Sequence, residues 1–151
     1  MELTGRVALV TGASKGIGKA TAQALAAAGA IVIATDIEAP HALAEEIGGI
    51  AVQLDVTREQ HWSAAIAQAE ANAGGLDILV NNAGLFLMKS VTETTLEEWR
   101  TLHGVNVEGV FLGCKHAIPL MARRAAMGGR RINHQSVVHR RDRGIGKCLT
   151  L

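Results

Sequence analysis

The first half of the chain contains short apolar runs without polar alternation, each followed by a longer segment with the apolar spacing of a helix. The first run covers residues 7–10, inside a strand predicted over 6–11. Strands with this pattern are typical of parallel sheets, because helices cover both of their faces. Further strands are predicted over 31–36, 50–55 and 77–80.

Helical segments occupy the intervals, at 16–28, 40–47, 58–73 and from 96 to about 124. Glycine, which favours helix ends, follows each of the first three segments. Thr94 and Thr95 are candidate caps for the last segment, which is predicted to form one or two helices around Pro119. The alternation of strand and helix predicts an α/β fold, a Rossmann-like doubly wound parallel sheet.

A glycine-rich loop joins the first strand to the first helix. Gly12, Gly16 and Gly18 let the backbone turn tightly and bring its N–H groups against a pyrophosphate, which the positive end of the helix dipole also attracts. Doubly wound sheets bind ligands at the carboxyl ends of the strands where strand order reverses, and the loop is predicted to lie there. The sequence therefore predicts a dinucleotide site; the simpler alternative is a glycine turn that binds nothing.

Asp36 indicates which dinucleotide the loop binds. It ends the second predicted strand, about 20 residues after the loop, where a carboxylate accepts hydrogen bonds from the ribose hydroxyls of NAD and repels the additional phosphate of NADP. Lys15 favours NADP, because its cation could pair with that phosphate. We give Asp36 the greater weight and predict NAD rather than NADP as the cofactor.

Length and composition indicate a single domain and exclude several classes of protein. The 151 residues are 48% hydrophobic, enough for one core, with no apolar run of about 20 residues that could span a membrane and no signal-peptide pattern. A cytoplasmic protein without a membrane partner is expected. Cys114, Cys148 and the six histidines show no metal-ligand spacing, so we predict no metal site.

The net charge of +1 conceals an uneven distribution. Residues 1–122 carry 7 basic and 13 acidic side chains, whereas residues 123–151 carry 8 basic side chains and a single acid, Asp142. A basic tail can bind nucleic acid, but this one has no aromatic residue for stacking and matches no recognisable module. Nucleic acid is therefore not predicted as a partner.

Four motifs in register resemble those of the short-chain dehydrogenases/reductases. Residues 11–18 match the family's Thr-Gly-x-x-x-Gly-x-Gly loop, and Asn81-Asn82-Ala83-Gly84 is similar to its second signature. Asp55-Val56 resembles its adenine-contacting pair, and residues 105–111 resemble the helix segment that bears its catalytic Asn. The match runs from about residue 3 to residue 121.

The resemblance implies two groups of cofactor contacts. The phosphates would be bound by the loop residues, which are Gly12, Ser14, Lys15, Gly16, Ile17 and Gly18. The remaining contacts would lie after the next strands: Asp36 for the adenosine ribose, Asp55 and Val56 for adenine, and Asn82, Ala83 and Gly84 towards the nicotinamide ribose.

Two asparagine positions allow other interpretations. The resemblance implies that Asn106 holds a water molecule in a proton relay. From the residues alone, Asn106 could be a helix-interior polar residue with local hydrogen bonds, and Asn81 with Asn82 could pin the central sheet, with or without a role in binding.

The resemblance also implies that part of the family's chemistry is missing. The family uses a Ser that positions the substrate carbonyl, and a Tyr with a Lys four residues later as acid/base in hydride transfer. The chain contains no Tyr, and Ser136 occupies the position of that Ser in a stretch, 133–140, more polar than a buried strand. We expect an NAD(P)-dependent oxidoreductase of small alcohols or ketones by family, without turnover by this chain. The alternative is a non-enzymatic dinucleotide-binding module with a basic interaction tail.

A one-base slip in reading frame would explain the change of character after about residue 127. Residues 131–141, reread one base along with permitted codons, give Gly-Ser-Ile-Ile-Asn-x-Ser-Ser-Ile-Ala-Gly, which resembles the family's fifth strand and serine motif. Ser136 would then not be the family's Ser. We therefore predict a dinucleotide-binding Rossmann domain at 1–127, incomplete at the carboxyl end, and an atypical tail at 128–151.

This division has consequences for assembly and solubility. The family usually forms homo-oligomers, through the helix that contains Asn106 and a later helix that has no counterpart here, so we do not expect this fragment to form them. One side of the sheet should lack its partners, which exposes apolar surface and a strand edge and favours poor solubility or partial unfolding.

Overall fold

The computed structural model describes residues 3–127 and 147–150, which form five strands, five helices and one π-helical turn. The elements follow in the order β1 (Val7–Thr11), α1 (Gly16–Ala27), β2 (Ile31–Asp36), α2 (His41–Ile47), β3 (Ile50–Gln53), α3 (Glu59–Ala73), β4 (Ile78–Asn81), α4 (Leu96–His103), the π turn (Gly104–Glu108), α5 (Gly109–Ala126) and β5 (Lys147–Thr150).

The five strands form one parallel sheet in the order β3-β2-β1-β4-β5. In its middle, Val10 of β1 pairs with Ala34 of β2 on one side and Val80 of β4 on the other. The chain moves outward from β1 to β3 and then returns to the other side of β1, so the strand order reverses between β1 and β4. The carboxyl ends of these two strands flank the crevice where doubly wound sheets bind ligands.

Helices cover both faces of the sheet, as the non-alternating strands predict. Successive residues of a strand point to opposite faces. Leu9 belongs to the apolar cluster that contains Trp62 of α3 and Leu120 of α5, whereas Val10 belongs to the cluster that contains Ala22 of α1. All five residues of β1 are buried, so the central strand lies entirely inside the core.

The predicted strands and helices of the first 127 residues are confirmed, with ends that differ by no more than two residues. Gly48 and Gly74 end α2 and α3 with left-handed φ angles of 62° and 72°, which glycine adopts readily. Thr95 caps α4: its hydroxyl accepts a hydrogen bond from the Glu98 N–H, and the Glu98 carboxylate accepts one from the Thr95 N–H.

Pro119 does not divide the last helical segment, because it lies inside α5. Its ring removes one N–H donor, so the carbonyl of Lys115, four residues earlier, loses its helical partner. Pro119 is exposed, and water can therefore reach this side of the helix. The departure from α geometry occurs instead at the π turn, Gly104–Glu108.

The last described strand, β5, comes from the predicted tail. Cys148 of β5 pairs with Leu79 of β4, so the strand edge on this side of the sheet belongs to β5 and not to β4. Ser136 and the rest of 128–146 lie outside the described residues. Large apolar side chains are exposed in the loop after β4 and on α4 and α5, among them Phe86, Met88, Trp99 and Phe111.

Candidate functional site

The glycine loop after β1 is held against the segment that follows β4. The side-chain amide of Asn82 donates hydrogen bonds to the carbonyl oxygens of Thr11 and Gly12, at 2.8 and 3.1 Å. Both segments lie where the strand order reverses. The glycine loop and the Asn-Asn-Ala-Gly motif therefore form one continuous surface, and Asn82 has the pinning role that its residue type allowed.

The buried side chain of Thr11 links the same two segments by hydrogen bonds. In the sequence, its position at the start of the glycine motif is the only indication of this role. Its Oγ1 accepts hydrogen bonds from the N–H groups of Asn82 and Ala83, each at 3.0 Å, and donates one to the Val80 carbonyl oxygen at 3.3 Å. A hydroxyl offers one donor and two acceptor sites, so these three bonds satisfy it fully.

Two positions of the glycine motif require glycine, because the motif packs tightly on itself and on the segment after β4. A Cβ at Gly18 would collide with the Gly12 carbonyl oxygen and the Asn82 amide nitrogen. Gly12 itself has a φ of 64°, and a Cβ there would lie 3.0 Å from the Ala83 Cα. Gly16 also has a left-handed φ, but no atom lies within 4 Å of the position of its Cβ. The backbone of the loop is therefore accessible beside Gly16.

The first turn of α1 begins at this accessible part of the loop. Lys15 is the N-cap residue, and its side chain makes no capping hydrogen bond. The N–H groups of a first helical turn need acceptors from outside the helix, and the helix dipole favours an anion there. Ile17 of this turn is 69% exposed. The arrangement suits a pyrophosphate group.

Asp36 faces the loop from the end of β2. Its Oδ2 accepts a hydrogen bond from the Ser14 N–H at 2.9 Å, and its Oδ1 accepts one from the Ile37 N–H at 2.8 Å. A carboxylate has about four lone-pair sites, so Asp36 can accept further hydrogen bonds from hydroxyl groups. Asp36, which is predicted to bind the ribose, thus contacts the glycine loop, which is predicted to bind the phosphates.

The segment after β3 lies beside Asp36. The Leu54 N–H donates to the Asp36 carbonyl oxygen at 2.7 Å, which brings Asp55 and Val56 to the same edge of the sheet. The Asp55 Oδ1 accepts hydrogen bonds from the N–H and the hydroxyl of Thr57, at 3.0 and 2.7 Å. The three predicted adenosine contacts therefore come together in the structure.

Asn106 lies in the π turn and reaches the loop after β4. Its Oδ1 accepts a hydrogen bond from the Leu85 N–H at 2.8 Å, and its Nδ2 donates to the Leu85 carbonyl oxygen at 2.9 Å. A Cβ at Gly84 would lie 3.4 Å from the same Oδ1. Asn106 therefore bonds to a distant segment rather than locally, and it lies beside the end of the Asn-Asn-Ala-Gly motif.

In residues 3–127 and 147–150, no three His, Cys, Asp or Glu side chains are grouped so that they could hold a metal ion. No helix of this described part has the length and apolar character needed to cross a membrane.

Residues 6–147 match the family model of the short chain dehydrogenases. The chain belongs to the short-chain dehydrogenase family. The resemblance drawn from the four motifs is confirmed, as is the α/β Rossmann-like fold of the family.

Several dehydrogenases are similar to this chain in sequence. Trans-4-hydroxycyclohexanecarboxylate dehydrogenase from Sinomonas cyclohexanicum is 41% identical over 145 residues, which cover 87% of this chain and 55% of that protein. Galactitol 2-dehydrogenase from Agrobacterium fabrum is 40% identical over 149 residues, which cover 96% of this chain and 58% of that protein. The chain spans about half the length of the curated relatives it matches.

Solved structures show the same fold. A 3-ketoacyl-(acyl-carrier-protein) reductase from Brucella melitensis, in complex with NADH, is 36% identical and superimposes with a TM-score of 0.80 over 84% of this chain and 54% of its own. A short-chain type dehydrogenase/reductase from Mycobacterium marinum, also 36% identical, gives a TM-score of 0.78 over 82% of this chain and 53% of its own.

Proposed function

We propose that this short-chain dehydrogenase chain binds NAD at the carboxyl ends of β1 and β4. The hydrogen bond between Asp36 and the Ser14 N–H is the main support, because it puts an acceptor for ribose hydroxyls at the edge of a loop suited to a pyrophosphate. The phosphates are assigned to Gly12, Ser14, Lys15, Gly16, Ile17 and Gly18. Adenine is assigned to Asp55 and Val56.

The preference for NAD over NADP follows from the fixed position of the Asp36 carboxylate. A phosphate on the adenosine ribose would lie beside this group, and two unit charges about 4 Å apart repel by about 1 kcal/mol even in water. Each carboxylate oxygen accepts a main-chain N–H bond, so the carboxylate is not free to turn away.

The chemistry proposed for a complete enzyme of this family built on these residues is hydride transfer between the cofactor and an alcohol or ketone. Bound NAD would supply the hydride acceptor, and NADH the hydride donor. On the nicotinamide side, this chain contributes Asn82, Ala83 and Gly84, with Asn106 to hold a water molecule for proton transfer. Ser136 is the proposed carbonyl-orienting residue if the tail is in frame. The similar dehydrogenases are named for a hydroxycyclohexanecarboxylate and a sugar alcohol, which supports a small hydroxylated substrate.

We further propose that the 151-residue polypeptide binds NAD without turning over a substrate. The family's acid/base is a Tyr with a Lys four residues later, and this sequence contains no Tyr. A positioned acid or base contributes about 10²- to 10⁴-fold to the rate, and that factor is missing here.

Calorimetric titration with NAD and NADP tests the cofactor. We expect NAD to bind about tenfold more tightly than NADP, the ratio that corresponds to about 1.4 kcal/mol. Asp36→Ser should remove most of this difference, because it removes the charge. Glu38→Gln, which changes an exposed acid two residues further along, should retain it. No binding of NAD, or the same NAD:NADP ratio in wild type and Asp36→Ser, contradicts the proposal.

Turnover is tested separately, by the absorbance of NADH during incubation of NAD with secondary alcohols. We expect none to form, and NAD-linked oxidation by the purified chain would overturn the inactivity while leaving the binding proposal intact. Salt-dependent binding of nucleic acid, lost when residues 123–151 are removed, would favour the binding-module alternative instead.

A further inference from the structure

Two consecutive residues of α3 hold the backbone of the Asp55-Val56 pair. The Nδ1 atom of His61 accepts a hydrogen bond from the Asp55 N–H at 3.2 Å, and the Trp62 Nε1–H donates one to the Val56 carbonyl oxygen at 3.0 Å. Neither His61 nor Trp62 belongs to the four family motifs. The start of α3 thus fixes a segment that the proposed function assigns to adenine.

The two anchors differ in kind. Trp62 is fully buried, and it lies so close to α5 that a Cβ at Gly113 would approach its ring to 2.8 Å. Its indole N–H does not titrate. His61 is partly exposed, and histidine is the side chain that gains a proton between about pH 5 and 8. The hydrogen bond from Trp62 to Val56 is therefore independent of pH, whereas the bond between His61 and Asp55 depends on the protonation of the imidazole.

The bond from Asp55 requires a neutral imidazole. Nδ1 accepts a hydrogen bond only when it carries no proton, which leaves the ring proton on Nε2. Protonation turns both ring nitrogens into donors, so the Asp55 N–H would then face another N–H. The charged groups that the described contacts place around this ring are the Asp55 carboxylate and the Arg58 guanidinium, whose Nε lies 3.5 Å from the Asp55 Oδ2.

We propose that His61 is a positioning residue for the adenosine half of the dinucleotide, and that its protonation weakens NAD binding. This inference rests on the proposed function, in which Asp55 and Val56 contact adenine. Neutral His61 holds the Asp55 main chain and leaves the carboxylate to the ligand. Protonated His61 releases the main chain and is drawn to the carboxylate, where it competes with the ligand.

The carboxylate of Asp55 does not itself titrate in this range. Partial burial acts to raise the pKa of its carboxyl, but hydrogen bonds from Thr57 and the charge of Arg58 lower that pKa overall below its ordinary value, and protonation of His61 would act in the same direction. Asp55 therefore stays ionised between about pH 5 and 8, so a change in affinity there is not caused by loss of its charge.

NAD titrations of the 151-residue chain at about pH 5.5 and about pH 8 test the proposal. We expect wild type to bind NAD about fivefold more weakly at the lower pH, the equivalent of one ordinary hydrogen bond. His61→Asn should bind as wild type does at the higher pH and lose the pH dependence, because its Oδ1 can replace Nδ1 as an acceptor without gaining a proton. His61→Ala should bind weakly at both pH values.

His116→Asn is the matched control. This histidine, on α5, has its Nε2 3.0 Å from the Glu59 Oε1 and makes no described contact with Asp55, so its variant should keep the wild-type pH profile. An NMR readout without nucleotide checks the bond itself: the Asp55 amide resonance should titrate with pH in wild type and not in His61→Asn.

The outcomes separate the two claims. If wild type binds NAD and His61→Asn retains the wild-type pH profile, or if the Asp55 amide does not titrate, the inference fails and the proposed function stands. If wild type binds no NAD at either pH, the proposed function fails, and the role of His61 in binding fails with it.

Discussion

At the scale of single residues, the hydroxyl of Thr11 connects the two central strands at the proposed site. Thr11→Val should lower the free energy of unfolding by about 1–3 kcal/mol, because it removes the acceptor of the Asn82 and Ala83 N–H groups within a buried region. Urea unfolding followed by circular dichroism measures the change, and Thr11→Ser, which keeps the hydroxyl, should recover part of it.

Thr35 provides a matched control in the neighbouring strand. It is equally buried, and its hydroxyl donates to the Val10 carbonyl oxygen at 3.1 Å. Thr35→Val removes a donor from a carbonyl group, which tolerates missing partners better than an N–H group does. Thr35→Val should therefore lower the free energy of unfolding by less than about 1 kcal/mol. Equal losses at the two positions would contradict the role given to Thr11.

The sequence indicates which residues lie at the proposed site better than it indicates their partners. Asp36 and the glycines stand out because their residue types suit a dinucleotide, and the parallel sheet brings them to one edge. The bond from Ser14 to Asp36 and the pair of bonds between Asn106 and Leu85 join residues more than 20 positions apart. Such contacts depend on how the segments pack, which residue type and spacing do not determine.

At the scale of elements, α4 owes its stability mainly to its first turn. None of its residues is buried, so apolar packing contributes little. The reciprocal bonds between Thr95 and Glu98 supply side-chain acceptors for two main-chain N–H groups at the helix start. Thr95→Ala should lower the free energy of unfolding by about 1 kcal/mol.

Chemical denaturation and the helical circular dichroism signal measure this effect. Thr95→Ser retains a capping hydroxyl and should lose no more than a small part of the stability. An unchanged unfolding free energy in Thr95→Ala would show that α4 does not depend on its cap.

Element ends were predictable where one residue type determines them, as at Gly48 and Gly74. Pro119 was misleading because its effect depends on exposure: on a solvent-facing side, water can replace the hydrogen bond that the ring removes. The π turn could not be predicted, because the poor helix formers of residues 104–107 indicate a weak point in the helix but not its π geometry. Asn106 in this turn bonds to Leu85, and such a tertiary contact cannot be seen in the local sequence.

At the scale of the whole molecule, an ion network joins the starts of β1 and β4 to α5 on the side away from the glycine loop. The Asp77 Oδ1 lies 2.9 Å from the Arg6 Nη1, and its Oδ2 lies 2.8 Å from the Arg124 Nε and 2.9 Å from the Val7 N. Asp77→Asn leaves two largely buried guanidinium groups without their counter-ion. It should lower the free energy of unfolding by about 3–5 kcal/mol.

Equilibrium unfolding in urea tests this prediction, with Glu70→Gln as the control. Glu70 pairs with Arg123, but both side chains are more than half exposed. Loss of an exposed pair should change the unfolding free energy by less than about 1 kcal/mol. Similar effects of the two substitutions would mean that Asp77 does not hold β1, β4 and α5 together.

The arrangement of the sheet could be predicted as far as β4, because each strand up to there is an apolar run between helices. The pairing of β5 could not. Residues 147–150 form a short and mixed segment, and their place beside β4 depends on an available sheet edge rather than on their own pattern. Local sequence therefore predicts the elements of this fold, and non-local pairing completes it.

The π turn at Gly104–Glu108 is also a place where the chain could lose one residue without a change in the packing of the flanking helices. A π turn accommodates one residue more than the α turn it replaces, because its hydrogen bonds span five residues instead of four. Deletion of one residue there would yield continuous α-helix and leave α4 and α5 in their present rotational phase. The buried face of α5, with Ala117, Leu120 and Met121, would still pack on the sheet. Asn106, however, would lose its hydrogen bonds with Leu85. The extra residue thus serves the site and not the core.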